Sequence, residues 1–276
     1  MEEIRVVQEK LLEMAKVFHN FCVENDIKYY MCGGTMLGAI RHSGFIPWDD
    51  DMDFFVMRDD YEKLISLKYK LDKNYTFNVH SLDKKYKYGF CKMYDERTTY
   101  IEVSQDTKFV GGVFIDIFPL DNIGDDAEKA RKTQLKIYRR RRIISGIYQR
   151  GKRTTLIKTV LTGIFQLLPK TQKWFDWPYK AIRKYRDKDT VYVTNVYGSE
   201  KGRGVLPVES FGKPTLYNFE DTQLYGLENY DTYLKISYGD YMTPPPPEKR
   251  VSHSIGYMDF NMPYKQYIEE HKKEKK

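Results

Sequence analysis

Cysteine is nearly absent: Cys22, Cys32 and Cys91 are the whole complement of a 276-residue chain. An odd, widely spaced set excludes a disulfide scaffold and fits no zinc module, so buried free thiols in a reducing compartment are expected. Long apolar runs are missing as well. No stretch reaches the ~18 apolar residues of a membrane-spanning helix. The amino terminus, Met1-Glu2-Glu3-Ile4-Arg5, lacks the charged-then-apolar order of a signal sequence. A cytoplasmic protein is the expectation. Internal repeats are absent too, which excludes solenoids and propellers.

What is present is a foldable, basic chain. Hydrophobic residues make up 41% and aromatics 15%, which excludes a disordered protein. One large domain, or one domain with a smaller module, suits this length. The formal net charge of +7 points to an anionic partner without naming it.

Periodicity predicts the order of elements. Ile4, Val7, Leu11, Ala15, Phe18 and Cys22 hold helical spacing over 4–24. Ile27 to Cys32 reads as a strand ending in a Gly33-Gly34 turn, and Thr35 as the cap of a short helix through Arg41. His42 to Asp50 reads as a loop, since Pro47 forbids regular helix there. Met52 to Met57 is a second strand, and Asp59 or Asp60 caps the helix after it. Short strands are expected around 75–80, 87–94 and 99–103, and a buried strand over 111–119 ended by Pro119. Residues 125–150 read as a basic helix. Leu156 to Leu168 forms an apolar stripe, 170–265 is aromatic and loop-rich, and the tail from Lys272 is frayed.

One stretch carries the chemistry. The glycine turn is followed by Pro47-Trp48-Asp49-Asp50-Asp51-Met52-Asp53-Phe54. So much negative charge beside a buried strand is costly unless something positive sits there. Asp51 and Asp53, two apart, share one strand face while Met52 and Phe54 point to the core. Paired carboxylates can ligate a divalent cation, which takes oxygen ligands and leaves room for phosphates. Asp49 and Asp50 are supporting residues on this reading; a solvated acidic turn is the plain alternative. Gly33 and Gly34 permit a positive φ and bring amides to a phosphate at a helix start, where a simple turn would also suffice. Arg41 and His42 could neutralise phosphate oxygens. Asp116, between Ile115 and Ile117, is an acid on an interior strand that needs a metal, an arginine or a substrate hydroxyl as partner.

These blocks resemble a known family. Gly34-Thr35-Met36-Leu37-Gly38-Ala39-Ile40-Arg41-His42 and Gly44-Phe45-Ile46-Pro47-Trp48-Asp49-Asp50-Asp51-Met52-Asp53 are similar to the signature of LicD-type phosphotransferases, relatives of fukutin. Phe114 to Asp121 resembles the second family block. Tyr238-Gly239-Asp240-Tyr241-Met242 with Pro245, Lys249, Arg250 and His253 resembles the third. The resemblance implies an α+β fold: a nucleotidyltransferase-like mixed sheet with flanking helices and a helical, basic insertion. It divides the chain into a catalytic core (1–124), the insertion (125–185) and a C-terminal part completing the site (186–276).

It further implies Mg²⁺ or Mn²⁺ on Asp51, Asp53 and Asp116, which are the catalytic acids. Gly33, Gly34, Thr35, Arg41, His42, Lys249, Arg250 and His253 are the substrate- and phosphate-binding candidates. The implied reaction moves a phosphorylated alcohol, phosphocholine foremost, from a CDP-linked donor to a hydroxyl of a glycan, a lipopolysaccharide or a teichoic-acid precursor. Glycerol- or ribitol-phosphate transfer is the alternative within the family. A nucleotide-sugar glycosyltransferase with an Asp-x-Asp pair is the alternative outside it, disfavoured because only one helix and one strand precede the glycine turn. A nucleic-acid binder or a noncatalytic membrane adaptor would leave the carboxylates without purpose.

The middle region adds one expectation. Arg139 to Arg142, Arg150, Lys152 and Arg153 lead straight into the apolar stripe, the make-up of a peripheral contact with an acidic membrane. Packing of that helix on the catalytic core is the competing reading.

Overall fold

The computed structural model describes residues 2–79, 88–104, 107–148, 173–198, 204–250 and 255–273, with isolated positions between them. Helix α1 (Glu2–Glu24) buries Val7, Leu11, Met14, Ala15, Phe18 and Cys22 on one face, as their spacing requires. Its Phe18 ring packs 5.0 Å from Tyr29 on β1 (Tyr29–Cys32) and 4.9 Å from Phe54 on β2 (Asp53–Met57). Burial of one such ring contributes about 1.5–3 kcal/mol. Between those strands lies α2 (Gly33–His42), and α3 (Arg58–Ser66) follows β2.

The main sheet is mixed. Its order is β1-β2-β7-β4-β3, with β3 (Tyr75–Asn78), β4 (Cys91–Asp95) and the long β7 (Phe114–Gly124). Strand β7 runs parallel to β2, and β8 (Tyr192–Asn195) and β9 (Val205–Pro207) extend the sheet beyond its second half. An α+β architecture is the result. A smaller sheet of β5 (Thr99–Ser104), β6 (Thr107–Gly111) and β12 (Ile255–Asp259) stands beside it, with the closing helix α7 (Tyr264–Lys273).

Strand β7 corrects one expectation, because it does not end at Pro119. The Asp116 N–H donates to the Met52 carbonyl at 2.9 Å, on the β2 side. By strand alternation the Pro119 nitrogen faces the opposite edge. On that edge β4 pairs as far as Ile117 and β8 begins at Leu120. The missing donor falls between two partner strands, so proline costs the ladder nothing there.

Helix α4 (Ala127–Tyr148) forms where the basic helix is expected. A second apolar cluster, including Ile123, Ile137, Ile144, Phe175 and Val196, seats it and α5 (Lys173–Tyr179) on the far half of β7 and on β8. Two of its four consecutive arginines turn inward. Arg140 donates to the Trp177 carbonyl at 2.8 Å, and Arg141 bonds the Gly198 carbonyl beside the Tyr197 ring. Arg139 and Arg142 stay exposed. The apolar stripe over 156–168 lies mostly outside the described residues; Val160, Ile164 and Leu167, which are described, are exposed. Among the described residues no helix is long and apolar enough to cross a membrane.

The region beyond 170 holds more regular structure than its composition suggests. Beyond α5 and the paired β8 and β9, strands β10 (Thr215–Phe219) and β11 (Thr222–Gly226) form a hairpin, and α6 (Tyr230–Tyr238) follows. All three cysteines are buried thiols outside any disulfide, as expected.

Candidate active site

Strand β1 runs into α2 without a loop. Cys32 is extended, and Gly33 turns the chain at φ +57°, a left-handed value that disfavours any side chain. The helix thus starts two residues before Thr35, which is no cap. Instead the buried Thr35 hydroxyl accepts the Asp53 N–H at 2.8 Å and ties α2 to β2.

The glycines face acids. A Cβ at Gly33 would stand 2.7 Å from Asp53 Oδ2, and one at Gly34 would collide with Asp49 Oδ2. Both carboxylates therefore lie against the first turn of α2, whose unpaired N–H groups favour negative charge. The Gly33 N–H is already taken: it donates at 2.8 Å to the hydroxyl of Tyr233, a residue 200 positions away on α6.

Strand β2 begins at Asp53, so Asp51 sits in the extended lead-in rather than within the ladder. Met52 and Phe54 are fully buried, as the alternation requires. Register sets Asp53 beside Asp116 across the parallel β2–β7 pair. The acids feel one another. Removal from water, then Asp51, Asp116 and Asp49, push the Asp53 carboxyl well above the usual carboxylate range, and Lys92 only partly opposes them.

Lys92 is the residue that sequence reasoning missed. It is 3% exposed, and its Nζ lies 2.7 Å from Asp116 Oδ1 and 3.3 Å from the Phe114 ring centroid. The partner of Asp116 is thus a lysine of the neighbouring strand, not an arginine, because antiparallel pairing sets Lys92 directly opposite. A lysine between Cys91 and Met93 on an apolar strand was the available signal. Gln8 was missed too. Buried on α1, it donates to the Ile46 carbonyl at 3.3 Å and to the Asp49 carbonyl at 2.9 Å, fixing the acidic loop.

Cations gather beside that loop. Arg41 donates to the Tyr241 carbonyl at 2.8 Å and to His42 Nε2 at 2.9 Å. Both side chains are held below their ordinary pKa. Burial is the first cause, with the charge of Arg250 acting on Arg41 and that of Arg41 acting on His42. The Arg250 guanidinium lies 4.8 Å over the ring of Trp48, the neighbour of Asp49. The structure thus brings Arg41, His42 and Arg250 together. Lys249 is exposed on the adjoining turn, and His253 lies outside the described residues.

Among the described residues no three His, Cys, Asp or Glu side chains converge into a ready metal cage. The donor set nevertheless fits a divalent cation, because the negative charge that Asp51, Asp116 and Asp49 press on Asp53 is relieved by a positive ion among them. Mg²⁺ commonly takes one or two carboxylates and completes its shell with waters and substrate phosphates.

Residues 26–145, which contain α2, the acidic loop, Lys92 and Asp116, match the family model described as LicD/FKTN/FKRP, nucleotidyltransferase domain. The chain is 28% identical over 266 residues to the lipopolysaccharide cholinephosphotransferase LicD of Haemophilus influenzae, covering 92% of this chain and 98% of that protein. It is 40% identical over 63 residues to an uncharacterized protein of Rickettsia typhi, covering 22% of this chain and 20% of that protein. A second uncharacterized protein, from Rickettsia prowazekii, is 46% identical over 50 residues, covering 18% of this chain and 19% of that protein. The acids and the glycine turn thus lie within a segment similar to the LicD/FKTN/FKRP nucleotidyltransferase domain, and almost the whole chain aligns with a LicD protein.

Proposed function

We propose that the protein transfers a phosphorylated alcohol, phosphocholine foremost, from a CDP-linked donor to a hydroxyl of a cell-surface glycan such as a lipopolysaccharide or teichoic-acid precursor. The observation that carries this reading is the placement of Asp49 and Asp53 against the first turn of α2, with Asp51 and Asp116 acting on Asp53, while Arg41, His42 and Arg250 gather at the far end of that helix beside the acidic loop. The Haemophilus influenzae relative, a lipopolysaccharide cholinephosphotransferase, supports choline as the alcohol and lipopolysaccharide as the acceptor.

Asp51, Asp53 and Asp116 are the residues that would hold Mg²⁺ or Mn²⁺, which when bound offsets the charge growing on the donor's diphosphate. Arg41, Arg250 and Lys249 neutralise phosphate oxygens, Arg with a forked contact. His42, kept neutral by burial and by Arg41, serves as a hydrogen-bonding group rather than a cation. Lys92, 2.7 Å from Asp116 Oδ1, positions that carboxylate to accept the proton of the attacking hydroxyl. The acceptor oxygen bonds to the phosphorus distal to the nucleoside. The bridging P–O bond breaks, and cytidine monophosphate leaves with the electron pair.

Contact with an acidic membrane surface belongs to the same reading. It is supported by the exposed Arg139 and Arg142 and by the exposed Val160, Ile164 and Leu167 that follow.

Incubation with CDP-choline, CDP-glycerol or CDP-ribitol and Mg²⁺ tests the reading by the nucleotide released. Cytidine monophosphate from CDP-choline is the expected product; release from CDP-glycerol or CDP-ribitol instead would reassign the alcohol. Full turnover in Asp51→Asn or Asp53→Asn protein would refute the role of the acids.

A further inference from the structure

A cavity of about 730 Å³ opens at the other end of the sheet from the acids. It is lined by Arg58 and Asp121, which follow the carboxylate positions of β2 and β7 by five residues each. At ~3.3 Å per residue, that is about 16 Å along the strands. Among the described residues, none of the catalytic or phosphate-binding candidates lines it.

The wall is built in two layers. At its base, Arg58 donates to both oxygens of Asp121, at 2.7 and 2.6 Å, and to the Tyr179 hydroxyl at 2.9 Å. Its guanidinium lies 5.3 Å from the centroid of the buried Tyr61 ring and 4.9 Å from that of Tyr179. At the rim, Arg186 grips Glu62 through two bonds of 2.7 and 2.5 Å. Asp121 and Glu62 are therefore matched by an arginine each. Lys173, Lys180 and Arg183 also line the cavity and are exposed, and among the described residues no carboxylate pairs with them. Among the described lining residues, Asp176 is the one remaining carboxylate to oppose those three cations. Among the described lining residues the surplus charge is positive, and the walls are aromatic: Tyr61, Phe175, Tyr179 and Tyr197.

Size and chemistry narrow the occupant. The volume falls in the ~300–1,000 Å³ range of small-molecule sites and far exceeds what an inorganic anion fills. Tyrosine faces suit the apolar face of a sugar ring, Asn122 and Ser81 can meet hydroxyls, and the free cations demand an anion. We propose that this cavity binds an acidic sugar, bearing phosphate or carboxylate, at a site separate from the donor site at the acids. The inference holds whatever reaction the acids run.

Calorimetric titration of the full chain at low salt with glucose 6-phosphate, glucuronate, glucose and inorganic phosphate tests it. Saturable binding of either acidic sugar, at least tenfold tighter than glucose and inorganic phosphate, bears the proposal out, and the tighter of the two names the anion. Arg183→Ala with Lys180→Ala, at exposed positions, should weaken that binding about tenfold with unchanged thermal melting, while Asp53→Asn leaves it intact. Binding no tighter than glucose or phosphate, binding indifferent to the double substitution, or binding lost in Asp53→Asn protein would each overturn it.

Discussion

Lys92 and Asp116 face each other across β4 and β7, amine to carboxylate at 2.7 Å, with the amine over the Phe114 ring. A buried pair of this kind is sensitive to removal of one member, because the other is left charged and dry. Lys92→Met should cost about 3–5 kcal/mol in urea unfolding. Adding Asp116→Asn to that variant should recover much of the loss, since the stranded charge goes with it. Equal stability of Lys92→Met and wild type would show that the pair is not anchoring the strand.

Gln8 reaches the acidic loop from a helix that carries none of the acids. Gln8→Leu keeps the bulk but strips the donor from the Ile46 and Asp49 carbonyls, at a cost of about 1–3 kcal/mol. Turnover should fall further than stability alone explains, because the loop carrying Asp49 and Asp51 loses its brace. A variant with lowered melting temperature and an unchanged rate at low temperature would contradict that.

Acid sensitivity has a specific source at Glu13. Burial would raise its carboxyl, but hydrogen bonds from Lys10, Arg97 and Tyr75 bring it down to about 2 from an ordinary 4.5. A depressed folded-state value means stability that is present above pH 4.5 and lost as pH falls toward about 2. The melting-temperature gap between wild type and Glu13→Gln should therefore be widest at neutral pH and close between those limits. A gap that persists below pH 2 would assign the effect to packing instead.

The four consecutive arginines of α4 should separate by experiment. Arg139→Glu with Arg142→Glu is expected to reduce flotation with anionic liposomes at low salt while leaving melting unchanged. Arg141→Ala should lower the melting temperature by removing the bond to the Gly198 carbonyl, worth about 1–3 kcal/mol. Absence of flotation by wild-type protein would end the membrane reading.

Local patterns were legible in the sequence; long-range pairings were not. The spacing of Val7, Leu11 and Phe18 was sufficient for α1, and the isolation of Asp116 among apolar neighbours placed it on an interior strand. The acids and glycines announced themselves because charge and conformational freedom are expensive where a chain is buried. Lys92 stayed hidden, since its meaning depends on the register of β4 against β7. Tyr233 and Gln8 meet the site only through tertiary contact. The β10–β11 hairpin escaped notice because burial alternates along β10 while hydrophobicity does not: Leu216 lies on the outer face, 45% exposed, and Thr215 on the inner one is half-buried.

Pro119 has a consequence for how this molecule tolerates change. It sits where β7 exchanges one neighbouring strand for another, so the half bearing Asp116 is braced by β2 and β4, and the half beyond it by β8. The chain between residues 125 and 191 leaves from, and returns to, the second half alone. Its length enters folding only through a slowly growing closure entropy. That excursion can be lengthened, trimmed or re-surfaced to meet a different acceptor or support, while the carboxylates keep their positions. One imino acid thus marks the seam between a part that must hold its shape and a part free to vary.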